Sequence, residues 1–260
     1  MPRFCANLTM LFNEVDFLER FQKAAAAGFE AVEYLFPYSW DKELLREKLE
    51  TNGLTQVLHN LPAGDWNAGE RGIACIPGRE QEFQEGVEKA IDYAKALGCP
   101  QVNCLVGIPP AGESLEKIRE TLVQNLRFAA SSLAKEKIRL LVEPLNSQDM
   151  PGFYLVYTAE ALGIMEEVGH PNLFLQYDVY HMQVMEGNLI KTISSNIEKI
   201  AHIQIADNPG RNEPGTGEIN FPNLFRAIDE AGYKGWIGCE YKPKGRTEDG
   251  LGWVRPYLYQ

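Results

Sequence analysis

Eight short apolar runs recur from one end of the chain to the other, each followed by a longer amphipathic stretch. They fall at Arg3–Leu8, Glu30–Phe36, Gln56–Asn60, Gln101–Val106, Ile138–Glu143, Leu173–Asp178, His202–Ala206 and Trp236–Glu240. Runs this short, bounded by turn residues, read as strands rather than helices. The stretches between them carry helix signals. Asp16 with Glu19 reads as a capping box, with Gly28 closing that helix. Phe83, Val87, Ala90, Ile91, Ala94 and Leu97 form an apolar stripe that stops at Gly98. Leu115, Ile118, Leu122 and Leu126 form another behind the cap candidate Ser114, and Thr158 and Phe221-Pro222 open two more. Strands alternating with helices pair in parallel, because each crossover returns the chain to the same end of the sheet. With 260 residues and no Gly-rich dinucleotide fingerprint, the expected fold is a single (β/α)8 barrel over residues 1–260. No organic cofactor is expected. One long irregular stretch, Leu61–Gly78, is expected to act as a lid, since a loop of that length in a compact domain is usually functional.

Such a barrel carries its chemistry at the C-terminal ends of its strands. The fifth run, IRLLVE, ends on Glu143, the sixth on Asp178 and the eighth on Glu240. A buried strand finishing on an unpaired carboxylate is costly. In the seventh, HIQIAD, alternation puts His202 and Gln204 on one face. Any single carboxylate is explained by capping a helix or pairing with an arginine. Three of them and an amide on consecutive strands repel unless a cation sits between them. The oxygen-only set Glu143, Asp178, Gln204 and Glu240 favours Mg²⁺ or Mn²⁺ over zinc.

The formal net charge of -11 disfavours nucleic acid and anionic membrane surfaces as partners. No stretch reaches the roughly 18 apolar residues of a membrane span. An anionic substrate therefore needs a local cation. Arg211, after the seventh strand in RNEPGTGE, is the first candidate, and Lys242 is the second. His181, just past Asp178, and His59, at the end of the third strand with Asn60, are further substrate-binding candidates; Glu33 extends the same pocket. Arg71 and Arg79 in the long loop read as solvated charges. Five cysteines with no CxxC spacing read as free thiols in a reducing cytoplasm. The sequence does not fix the number of subunits, and a homo-oligomer is an open expectation.

Six segments together resemble the hydroxypyruvate isomerase family of the xylose-isomerase-like barrels: RFCANLTMLF, LHNLPAGDWNAGERGIACIPGRE, NCLVG, QYDVYHMQVMEGN, HIQIADNPGRNEPGTGEIN and GWIGCEYKP. The resemblance runs end to end. It implies that Glu143 and Glu240 are proton donor and acceptor, and it maps the superfamily's metal position onto Glu143, Asp178, Gln204 and Glu240. It also implies a small three- or four-carbon sugar-acid substrate. The 2-oxo-tetronate isomerases share the barrel motifs, but the LHNLPAGDW and GERGIACIPGRE loop is more similar to the hydroxypyruvate enzymes. Ketose 3-epimerases carry His where Gln204 stands, so epimerisation is not implied. A DNA-repair endonuclease on the same barrel would need a His-rich zinc site, and this chain has four histidines. A non-catalytic sugar-acid binder would have lost one of the two glutamates, and both are present.

Overall fold

Each strand in the structure, a computed structural model that describes residues 1–258, pairs in parallel with the next, and the last pairs with the first. The strands are β1 Arg3–Asn7, β2 Ala31–Glu33, β3 Thr55–Asn60, β4 Gln101–Cys104, β5 Arg139–Val142, β6 Leu173–Asp178, β7 Ile200–Ile205 and β8 Trp236–Cys239. Closure runs through Arg3 opposite Trp236 and Cys5 opposite Gly238, so no strand edge is left unpaired. The expected (β/α)8 barrel is therefore the fold.

The helices close it from outside. Asp41 caps α2 (Lys42–Thr51) with bonds from the Glu43 and Leu44 N–H groups, and Ser114 caps α4 (Leu115–Lys135) through Lys117 N–H at 3.2 Å. Asn220 caps α8 (Phe221–Glu230), whose first turn holds Pro222. In α3 (Glu80–Leu97) the stripe residues Phe83, Val87, Ala90, Ala94 and Leu97 are buried, and Gly98 takes the left-handed C-cap conformation. Two expectations change. Asp16 stands at the N-cap of α1 (Phe17–Ala26) but its side chain makes no cap bond, so the capping box does not form. Leu115 is exposed at the first position of α4, outside the stripe that Ile118, Leu122 and Leu126 bury.

Strand ends differ as well. β5 stops at Val142 and β8 at Cys239, so Glu143 and Glu240 each stand one residue past the ladder. After Glu143, Pro144 has no N–H with which to continue the ladder. β2 is three residues long, with a register shift against β3 between Val32 and Glu33. The sixth strand leads directly into a short helix, α6 (Val179–Met185), followed by α7 (Leu189–Asn196).

One large core joins the outer faces of the strands to the helices. A second, small cluster of Cys5, Ala31, Val57, Leu58, Leu141 and Ala201 fills the barrel toward its N-terminal end. Above it the barrel interior is polar. Asn7, Glu33, Asn103, Gln176, His202 and Gln204 are all buried there. Gly238 makes room for this layer, because a Cβ at that position would overlap the Glu33 carboxylate.

The long loop between β3 and α3 is tied to the exit of β4. Leu61 N–H bonds the Asn103 carbonyl at 2.8 Å and Cys75 N–H bonds that of Val106 at 2.8 Å. Gly72 is left-handed, and a side chain there would collide with the Leu105 carbonyl. The two loop arginines are used internally. Arg79 pairs with Glu70 and Glu82, and the Arg71 guanidinium lies 4.0 Å over the Trp66 ring.

Candidate active site

The C-terminal ends of β5, β6 and β8 bring Glu143, Asp178 and Glu240 together in one buried group. Asp178 has two tasks. Its Oδ1 caps α6 by accepting Tyr180 N–H at 2.8 Å, while its buried Oδ2 has no hydrogen-bond partner. Glu143 is held from below, where Oε2 accepts the Asn103 side-chain amide at 2.9 Å and that of Gln176 at 2.8 Å. Its other oxygen is left for the site. Glu240 Oε1 accepts from Arg211 Nη2 at 3.0 Å, and the same nitrogen lies 3.7 Å from Asp178 Oδ2.

Burial of three acids in one place has a clear electrostatic result. Burial pushes the Glu143 carboxyl well above the usual carboxylate range, and Glu240 and Asp178 push it further. Glu240 is pushed up to about 8 by burial, against the pull of Arg211. Asp178 is raised to about 6 by burial, with Arg211 and the N–H groups of α6 opposing. Burial thus favours the protonated form of each acid, the direction in which a carboxyl is tuned for acid/base work. The contrast lies one layer below. Burial alone would raise Glu33, but His202, Gln204 and Asn7 together hold its carboxyl below the ordinary value.

That ionised Glu33 orients a chain of amides. His202 Nε2 meets Glu33 Oε2 at 2.6 Å, and Gln204 Nε2 donates to Glu33 Oε1 at 2.7 Å. The Gln204 carbonyl oxygen then accepts from Gln176 Nε2 at 2.6 Å, and the same Gln176 nitrogen donates to Glu143. Gln204, read from the sequence as a cation ligand, thus has both ends of its amide engaged inside the barrel, with one carbonyl lone pair remaining.

His181 sits on α6 with Nδ1 accepting the Asn146 backbone N–H at 3.1 Å. Burial, and Arg211 after it, push its pKa well below the ordinary value, so the ring is neutral and its proton is on Nε2. That N–H faces Asp178 Oδ2 at 3.7 Å. Arg211 is buried and joins the acids from the loop after β7, at φ 55°. The loop is fixed by Asp207, whose carboxylate accepts the N–H groups of Asn208, Gly215, Gly217 and Ile219.

Two candidates lie elsewhere. Lys242 is exposed, and its backbone N–H supports the Arg211 carbonyl at 2.7 Å. His59 is on the helix side of β3, next to Ala90 of α3 and edge-on to Tyr38, with burial lowering its pKa to about 4. Gln176 and Asn103 were not singled out in the sequence. Gln176 precedes Asp178 by two residues and so shares its face of the strand, a signal that alternation offers. Asn146, which sets the His181 tautomer, has no local signal.

The donors fit a divalent cation. Atoms of Glu143, Asp178 and His181 all lie within 4.8 Å of one another, and Asp178 Oδ2 is a buried acceptor without a donor. Of the three, His181 presents an N–H rather than a lone pair, so the carboxylates are the natural ligands. The raised carboxyls also set the pH response of the metal-free protein. A carboxyl whose pKa is higher folded than unfolded stabilises the fold at low pH and loses that contribution as pH rises. The melting temperature of metal-free protein is therefore expected to fall between the ordinary values, 3.8 for Asp and 4.5 for Glu, and about 8. Calorimetry across that range checks it, and a melting temperature that rises instead would mean that Arg211 already offsets the ionised acids.

Residues 21–257 match the profile of the xylose isomerase-like TIM barrel family. The chain is 60% identical to hydroxypyruvate isomerase of Escherichia coli K12 over 257 residues, 99% of this chain and all of the relative. It is 48% identical to 2-oxo-tetronate isomerase of Cupriavidus necator, with 99% of each chain covered. Among solved structures, one described as AP endonuclease, family 2, from Brucella melitensis superposes with a TM-score of 0.97 at 49% identity and 99% coverage of each chain.

Proposed function

Because the chain belongs to the xylose isomerase-like TIM barrel family, we propose that it is the enzyme that interconverts hydroxypyruvate and 2-hydroxy-3-oxopropanoate (tartronate semialdehyde). The carrying observation is the pair of buried glutamates, one just past β5 and one just past β8, both raised above the ordinary carboxylate range by burial. One glutamate removes a proton from C3, giving a planar enediolate, and the other delivers a proton to C2. The hydroxyl proton passes from O3 to O2, which balances the exchange of carbonyl and alcohol. Asn103 and Gln176 occupy one oxygen of Glu143, so a single oxygen is free to meet the substrate. His181, with its proton on Nε2, donates to a substrate oxygen.

Glu143, Asp178 and Glu240 would hold the divalent cation, and the oxygen donors favour Mg²⁺ or Mn²⁺. When bound, it neutralises the acids and stabilises negative charge developing on the two substrate oxygens. Arg211 is the cation among the buried acids that can meet the substrate carboxylate. Burial of all five free cysteines is consistent with a reducing cytoplasm. Among the described residues no helix is long and apolar enough to cross a membrane.

Endonuclease chemistry is poorly supported by this site. Of the four histidines, His181 is the one beside the rim acids, while His59 packs against α3 and His202 is bound to Glu33. The reading is tested by kcat/KM for hydroxypyruvate and for 2-oxo-tetronate with one preparation. Hydroxypyruvate is expected to be the better substrate. The reverse order would reassign the enzyme to the four-carbon acid.

A further inference from the structure

We propose that Arg211 stands in for the divalent cation in the metal-free protein and moves to the rim when the cation binds, so that metal entry is what releases Arg211 for the substrate carboxylate. This rests on the metal-assisted reading above and adds an order of events to it.

The guanidinium is shared rather than clamped. Nη2 reaches Glu240 at 3.0 Å and Asp178 at 3.7 Å, Nη1 lies 3.8 Å from Asp149, and the buried Nε has no hydrogen-bond partner. Among the described residues no carboxylate holds it through two parallel bonds, the geometry that fixes an arginine strongly. It sits among the acids because they need a counter-charge, and Asp178 Oδ2 has no hydrogen-bond partner, with Arg211 Nη2 and the neutral His181 Nε2 each 3.7 Å away. A divalent cation supplies that charge better, and a guanidinium beside it would then be repelled.

The second resting place already exists. Asp149 has a side chain 35% exposed at the rim and accepts the Tyr180 hydroxyl at 3.0 Å, and the Tyr180 ring centre lies 5.1 Å from the guanidinium carbon. Carboxylate and aromatic face together suit an arginine. The backbone is held in place, because Lys242 N–H binds the Arg211 carbonyl and Asp207 accepts Asn208 N–H before Arg211 and the Gly215 and Ile219 N–H groups after it. Side-chain rotation is sufficient. An effect of one ligand on another is reciprocal, so cation and anionic substrate must strengthen each other's binding.

The test is Mn²⁺ titration of the full-length, metal-free protein by calorimetry, with melting temperatures measured in parallel. Arg211→Gln is expected to bind Mn²⁺ about tenfold or more tightly than wild type, within the usual range of coupling between sites. Asp149→Asn is expected to bind it more weakly, because the outer station is lost, and that effect should disappear in the double variant. A merely structural role would weaken Mn²⁺ binding in both single variants. Glycerate, a three-carbon acid that cannot isomerise, should tighten Mn²⁺ binding in wild type and not in Arg211→Gln. Wild-type or weaker affinity in a folded Arg211→Gln overturns the inference and leaves the metal reading intact. Absence of Mn²⁺ binding in every variant overturns both.

Discussion

Replacing Glu143 or Glu240 by glutamine is expected to lower isomerisation by ~10²-fold or more in each case, the scale of losing a general acid or base. The fold should tolerate both changes. At position 143 the Asn103 and Gln176 amides both donate to Oε2, so a glutamine must place its carbonyl oxygen there and turn its NH₂ toward the substrate. The base is thereby replaced by a donor at the same place. At position 240 the Arg211 guanidinium likewise selects the carbonyl oxygen. Deuterium wash-in at substrate C3 separates the two roles. Loss of the base abolishes exchange, whereas loss of the reprotonating acid leaves exchange running and blocks product. Near-wild-type turnover in both variants would end the paired-glutamate mechanism.

Exhaustive chelation is the second large effect expected. The buried acids around Asp178 have Arg211 as their counter-charge, and that residue is also needed by the substrate. Without a divalent cation, negative charge developing on the two substrate oxygens faces three carboxyls. Loss of a Lewis acid there removes several kcal/mol of transition-state stabilisation, or roughly 10²-fold or more in rate. Mg²⁺ or Mn²⁺ should restore activity, while Ca²⁺, with a larger and looser coordination shell, should restore less. Full activity in protein verified as metal-free by elemental analysis would leave a cofactor-free acid/base pair.

The architecture could be read because its signals are local. A run such as LFLQYD states its own length, its burial and the residue on which it ends, and strand ends are where this fold carries chemistry. Boundaries moved by one to three residues, most at the end of the second strand, which stops at Glu33 rather than Phe36. β5 and β8 stopped short of their glutamates, yet both side chains reached the predicted rim. Arg211 could be placed near the acids from loop order alone, although not which acids it would bind. Lys242 and His59 follow the same logic of position, and the structure puts one in solvent and the other behind the barrel wall.

The sequence by itself therefore determined the eight-stranded barrel and the meeting of Glu143, Asp178 and Glu240 at its rim, because periodicity and strand order carry that much. Tertiary structure alone decided how those groups are poised. Register shifts at Val32/Glu33 and Leu175/Gln176 set which side chains share a level inside the barrel, and a two-residue period does not encode them. Glu33, next to Gln204 in space and 171 residues away in sequence, is what turns the amide chain toward Glu143. Asn146, 35 residues from His181, fixes the proton on that ring. Donor and acceptor directions in a buried network depend on partners brought together only by folding, because a buried polar group left without one is costly.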